Sequence, residues 1–169
     1  MCLLGQSPAP PAPPATAADA VAMALAALAA LAAVDAAALT AAEQADCLRA
    51  LEQAESAHTA ARARVLAAFH ADGGFEDDGH GSAKTWLRWQ TRVTKNAAAS
   101  AMAWMRRLNA HPAIADALAA GGLSPSWARQ VCAWTDLLPA DCRADADAMR
   151  GHHRPCRSTG RSLPQGGGR

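Results

Sequence analysis

Alanine constrains this chain more than any other residue: it fills 47 of 169 positions. There is no tyrosine, and only Phe69 and Phe75 accompany the five tryptophans. Alanine is the best helix former and a poor strand former. The composition therefore predicts an all-α fold, and the punctuation below divides it into long antiparallel helices plus a cluster of shorter ones in which a helix-turn-helix is one candidate. Hydrophobic residues reach 51%, but each alanine buries little area, so stability should rest on helix propensity and a few large anchors. The length is about one domain's worth.

Punctuation along the chain divides it into three parts. Residues 1–16 contain Pro8-Ala9-Pro10-Pro11-Ala12-Pro13-Pro14, which predicts an extended, disordered lead. Residues 17–149 carry the helical domain, and 150–169 form a basic tail. A first helix is expected from near Thr16 or Asp19, with Leu25, Leu28, Leu31 and Leu39 on its apolar face. Thr40-Ala41-Ala42-Glu43 reads as a capping box. It opens the longest helix, about 30 residues or roughly 45 Å, which Asp72-Gly73-Gly74 ends. Cys47, Leu48, Leu51, Ala54, His58, Ala61, Val65, Leu66 and Phe69 recur at helical spacing as its expected buried stripe, and the first helix is the expected antiparallel partner.

Ser82 should cap a short helix bearing Trp86, Leu87 and Trp89, and Thr94 a second one with Ala98, Ala101, Met102, Met105 and Leu108 on its face. His111-Pro112 interrupts. A helix from Ile114 to Ala120 should end at Gly121-Gly122. Ser124-Pro125 supplies an N-cap with proline at the first helical position, opening a helix through Trp127, Val131, Trp134 and Leu138 that stops at Pro139.

The apolar run from Ala20 to Val34 covers 15 residues between Asp19 and Asp35, where a membrane span needs about 20. No Lys or Arg precedes it, so it also fails as a signal peptide. The five cysteines form no CxxC pair. Their odd number points to a reduced, cytoplasmic chain, with Cys47 and Cys132 as buried structural thiols.

Net charge is only +1, yet it is unevenly spread. From Ser82 to Arg107 the chain holds Lys84, Arg88, Arg92, Lys95, Arg106 and Arg107 with no acid, and Trp86, Trp89 and Trp104 besides. A short helix, the tight connection Thr91–Val93 and a helix opened by Thr94, Lys95 and Asn96 fit a helix-turn-helix. Asn and Lys at such a start suit base edges, and the arginines suit phosphates. The competing reading is a solvated cationic face with the tryptophans as core, since Trp86 and Trp89 sit at i and i+3. The tryptophans as base-stacking platforms are a third reading.

No catalytic constellation stands out. GxSxG, HExxH and phosphate-cradling glycine loops are absent. Glu52/Glu55 and Asp77/Asp78 have no matching base. The loop Phe75–Gly81 fits no calcium-loop spacing and reads as solvated. His152-His153 with Cys156 shares residue types with HNH endonuclease clusters but has no Asn, no strand pattern and a single Cys beside it. The expectation is no catalytic residue, no metal and no cofactor. After Arg150 alanine vanishes, leaving four Arg and no acid. This points to a change of reading frame near Arg150 or to a disordered basic tail.

Several motifs carry a family resemblance. They are Leu51-Glu52 with Arg62-Ala63-Arg64-Val65-Leu66-Ala67-Ala68-Phe69, Gly79-His80-Gly81-Ser82-Ala83-Lys84-Thr85-Trp86-Leu87, Trp104-Met105-Arg106-Arg107-Leu108, His111-Pro112, Ala117-Leu118-Ala119-Ala120-Gly121 and Leu123-Ser124-Pro125-Ser126-Trp127-Ala128-Arg129-Gln130. In this order, over roughly residues 40–149, the chain resembles the actinobacterial domain-of-unknown-function family 222, grouped with mycobacterial repeat-element proteins. That resemblance implies an α-helical domain usually followed by a C-terminal HNH endonuclease domain, here truncated before it, so no catalytic residue carries over. Three readings follow: a non-catalytic helical domain that binds double-stranded DNA; a structural domain that dimerises or docks on a nuclease domain; and, third, an active HNH-type endonuclease. A membrane partner is not expected.

Overall fold

The computed structural model describes residues 14–139, 142–143 and 145–146. Most of the proline-rich lead, and the whole tail from residue 150 with His152, His153 and Cys156, lie outside the described residues. Among those described, the fold is all-α: α1 (Ala17–Ala32), α2 (Ala41–Ala71), α3 (Ala83–Gln90), α4 (Lys95–Ala110), α5 (Pro112–Ala119) and α6 (Pro125–Thr135), with a 3-10 turn at Ala36–Ala38. The chain divides into two compact units at Ala45/Asp46.

In the first unit, Thr16 and Asp19 cap α1 reciprocally: the Thr16 hydroxyl accepts the Asp19 N–H at 3.1 Å, and the Asp19 carboxylate accepts the Thr16 N–H at 3.1 Å. None of the α1 residues is buried. Thr40 and Glu43 make the same box at the start of α2, with the Glu43 carboxylate accepting the Thr40 N–H at 2.8 Å and its hydroxyl at 2.7 Å. Those hydrogen bonds from Thr40 hold the Glu43 carboxyl below its ordinary range.

The second unit holds a continuous core. Leu66, Leu87, Met102, Met105, Leu108, Ile114, Leu118 and Val131 are its large members, and Ala60, Ala63, Ala83, Ala98 and Ala128 fill between them. α3 packs on α4, α4 on α5, and α5 on α6. α4 buries Ala98, Met102, Met105 and Leu108, the face its spacing predicts. α5 ends in a Schellman motif: Gly122 N–H reaches Ala117 O at 2.9 Å and Gly121 N–H reaches Leu118 O at 3.0 Å. Gly121 adopts φ +68°, where a Cβ would also lie 3.3 Å from Gln53, so glycine is required there twice over.

Two expected faces are corrected. α2 buries Ser56, Ala60, Ala63 and Leu66, while Leu48 is 65% and Val65 70% exposed. Ser56, Ala60 and Ala63 follow the i, i+4, i+7 rule themselves, so the seam is made of small residues and the large ones flank it. α6 buries Ala128, Val131, Cys132 and Thr135, leaving Trp127 57% exposed and Trp134 41%. These two rings, seven residues apart, meet each other at 6.1 Å between centroids. Of the expected structural thiols, Cys132 is buried but Cys47 is only half-buried.

Candidate nucleic-acid interface

The cationic stretch is built from two capped helices. The Ser82 hydroxyl accepts the Thr85 N–H at 3.2 Å and fixes the start of α3. Ala83 and Leu87, four apart, turn inward. Lys84 and Arg88 follow each by one residue, about 100° round the helix, and are exposed. The Thr91 hydroxyl donates to Leu87 O at 2.6 Å, and Arg92 then takes a left-handed backbone, φ 54°. The Thr94 hydroxyl accepts the Ala97 N–H at 3.2 Å and opens α4. Lys95 and Asn96 are exposed in its first turn, which carries no acid. Arg106 lies eleven residues after Lys95, about three turns, so the two share one side of α4.

Five of the six expected contacts, Lys84, Arg88, Arg92, Lys95 and Arg106, are thus exposed. Among the described residues none of them has a carboxylate partner within salt-bridge reach. Arg107 is different. Its Nε and Nη2 donate to Asp136 Oδ2 at 3.0 and 2.5 Å. The other Asp136 oxygen lies 3.0 Å from His111 Nε2, and the Thr135 hydroxyl is 3.4 Å from His111 Nδ1. His111 is 1% exposed. Burial raises the Asp136 carboxyl, but hydrogen bonds and charge from Arg107 and His111 outweigh it and hold the group below its ordinary range. Arg107 therefore fastens the end of α4 to the end of α6.

The tryptophans part company. Trp86 packs on Phe69 at 4.6 Å between centroids, and its Nε1–H donates to Asp78 at 2.5 Å, which gives the acidic loop a structural task. Trp104 is half-buried. Trp89, expected in the core, is 62% exposed. It follows Leu87 by two residues, about 200° round α3, which puts it opposite the buried side. The Arg88 guanidinium lies over its ring, 5.1 Å from the centroid.

No family model, curated protein or solved structure matches this chain. Its chemistry has to be read from its own side chains. Among the described residues no group of three or more His, Cys, Asp or Glu is placed to hold a metal ion, and no helix is long and apolar enough to cross a membrane. Sequence reasoning missed Arg62 and Arg129, which line one cleft with Trp104. The Arg129 guanidinium sits 5.2 Å from the Trp104 ring centroid. Nothing in their spacing marks them, because they come from α2 and α6, far apart in the chain. The role of His111 was missed as well, although its place before Pro112 marked a helix boundary.

Proposed function

We propose that the second unit is a non-catalytic helical module that binds double-stranded nucleic acid through α3, its connection and one side of α4 from Lys95 to Arg106. The observation that carries this reading is the set of five exposed cations on that segment without a carboxylate partner. Cations left unpaired on a surface of one sign attract a polyanion, and each phosphate contact releases counterions. The amide-rich N-terminus of α4, with Lys95 and Asn96 beside it, adds a second attraction for phosphate. Trp89 with Arg88 over it is an exposed ring where base or sugar can rest. The motif resemblance to the domain-of-unknown-function family 222 supports the same reading, since members of that family usually accompany a nuclease domain.

Binding to a short duplex, followed by fluorescence anisotropy, tests it. Five phosphate contacts predict a fall of log K against log salt with a slope of about −4.5. Changing Lys95 or Arg106 to Ala should reduce that slope by about 1 each. Absence of binding at low salt defeats the proposal. Nicking of plasmid with magnesium, manganese or zinc would defeat its non-catalytic half.

A second reading has its own observation. Trp127 and Trp134, whose rings meet, are exposed together with Leu137 and Leu138 just beyond α6, and a contiguous exposed apolar patch marks an association surface. It predicts a concentration-dependent mass in sedimentation equilibrium. A strict monomer removes self-association.

A further inference from the structure

The cleft that Arg62, Trp104 and Arg129 line is assembled from α2, α4 and α6, with a volume of about 290 Å³. Its polar wall is His58, Thr59 and Arg62 from α2, Ser100 from α4 and Arg129 from α6. No acid lines it. Asp116 takes Arg64 at 2.8 Å, and Glu52 and Glu55 are not among the residues of the cleft wall. Arg62 and Arg129 have no carboxylate partner among the described residues.

Trp104 supplies the apolar wall together with Leu66 and alanines. Arg129 is already laid over the indole, so its fork is held in place before any ligand arrives, and less side-chain freedom is lost on binding. The indole Nε1 is, among the described residues, the only buried side-chain nitrogen or oxygen without a hydrogen-bond partner. That atom is enclosed by protein, so the indole meets the cleft through its carbon surface and not through its N–H.

From this geometry we infer that the α2–α4–α6 cleft is a binding site for a small organic anion, an aromatic or other flat apolar group carrying a phosphate or carboxylate. Arg62 and Arg129 hold the anionic end, Thr59 and Ser100 supply hydroxyls, and Leu66 with the alanines of the wall takes the apolar body beside the Trp104–Arg129 pair. The cleft has room for a ligand of single-ring size. The site shares no residue with the α3–α4 cations, so it does not rest on the nucleic-acid reading.

Phenyl phosphate is the probe, with inorganic phosphate as the bare anion and benzyl alcohol as the neutral ring, titrated into the full chain by calorimetry. Saturable one-to-one binding of phenyl phosphate is expected below roughly 1 mM. Inorganic phosphate should bind more weakly, and benzyl alcohol not measurably. Arg62→Ala and Arg129→Ala, both at exposed positions, should each weaken phenyl phosphate about tenfold or more and leave duplex binding unchanged. In nitrogen-15 spectra the Trp104 indole N–H should shift while those of Trp89 and Trp127 stay put. Failure to saturate, undiminished affinity in the double arginine variant, or equal affinity for inorganic phosphate overturns the inference. Displacement of phenyl phosphate by duplex would assign the cleft to a nucleic-acid phosphate and overturn a small-molecule site.

Discussion

At His111 an imidazole is almost wholly enclosed, and Asp136 and Thr135 flank it. Asp136 is the junction of this network, because it also takes both contacts from Arg107. Asp136→Asn should lower unfolding stability by about 1–2 kcal/mol near neutral pH, since Arg107 loses its charge partner. The pH dependence has a definite sign. Asp136 is held below its ordinary value of 3.8 in the folded chain, so its contribution is fully present above that value and is lost as pH falls through the lower, folded one. Urea unfolding at pH 7 and pH 3 should therefore show a smaller acid loss in Asp136→Asn than in the parent, and equal losses would contradict the assignment. Ile114 offers a contrast in kind. It is wholly buried, and Ile114→Ala should cost about 2–5 kcal/mol, whereas Leu137→Ala, at an exposed position, should stay within about 0.5 kcal/mol.

The connection between α3 and α4 is the element on which the proposed interface turns. Arg92 occupies a left-handed conformation, which disfavours a side-chain-bearing residue by roughly 1–2 kcal/mol relative to glycine. Arg92→Gly should raise the melting temperature while weakening duplex binding, and a loss of both would place Arg92 in the fold alone. Thr94→Ala should cost about 1 kcal/mol by removing the cap of α4, read by the same melting experiment. Helix ends such as these were legible in the sequence. Thr16/Asp19, Thr40/Glu43, Ser82, Thr94, Ser124-Pro125 and Gly121-Gly122 act on backbone groups within a few residues, so the local sequence carries the whole instruction. Buried faces were legible only where large residues form them, as on α4. On α2 and α6 the large side chains Leu48, Val65, Trp127 and Trp134 pointed to the wrong side, because alanine fits either face and gives no signal. The cation cluster was visible as a run of charge, but the withdrawal of Arg107 was not. Its partner Asp136 lies 29 positions on, and only packing of α4 against α6 brings them together.

For the molecule as a whole, an almost neutral sum conceals separated charge, and local surfaces govern its encounters more than net charge does. Cys132 offers a reading of global opening, because its thiol is buried at the centre of the second unit while Cys142 is exposed. Under native conditions Cys142 should react with a thiol reagent at a rate near that of an open chain. Labelling at Cys132, located by peptide mass spectrometry, should wait on unfolding and slow as stability rises. Prompt modification of Cys132 would show a core that opens locally. The seam of Ser56, Ala60 and Ala63 gives this core an unusual weak point. Where Leu and Ile pack a centre, damage comes from truncation. At Ser56 and Ala60 the side chains are already near the smallest available, and added carbon has nowhere to go. This seam is thus hardened against loss and exposed to gain: a single codon drifting from alanine to valine at Ala60 does the harm that at Ile114 takes truncation.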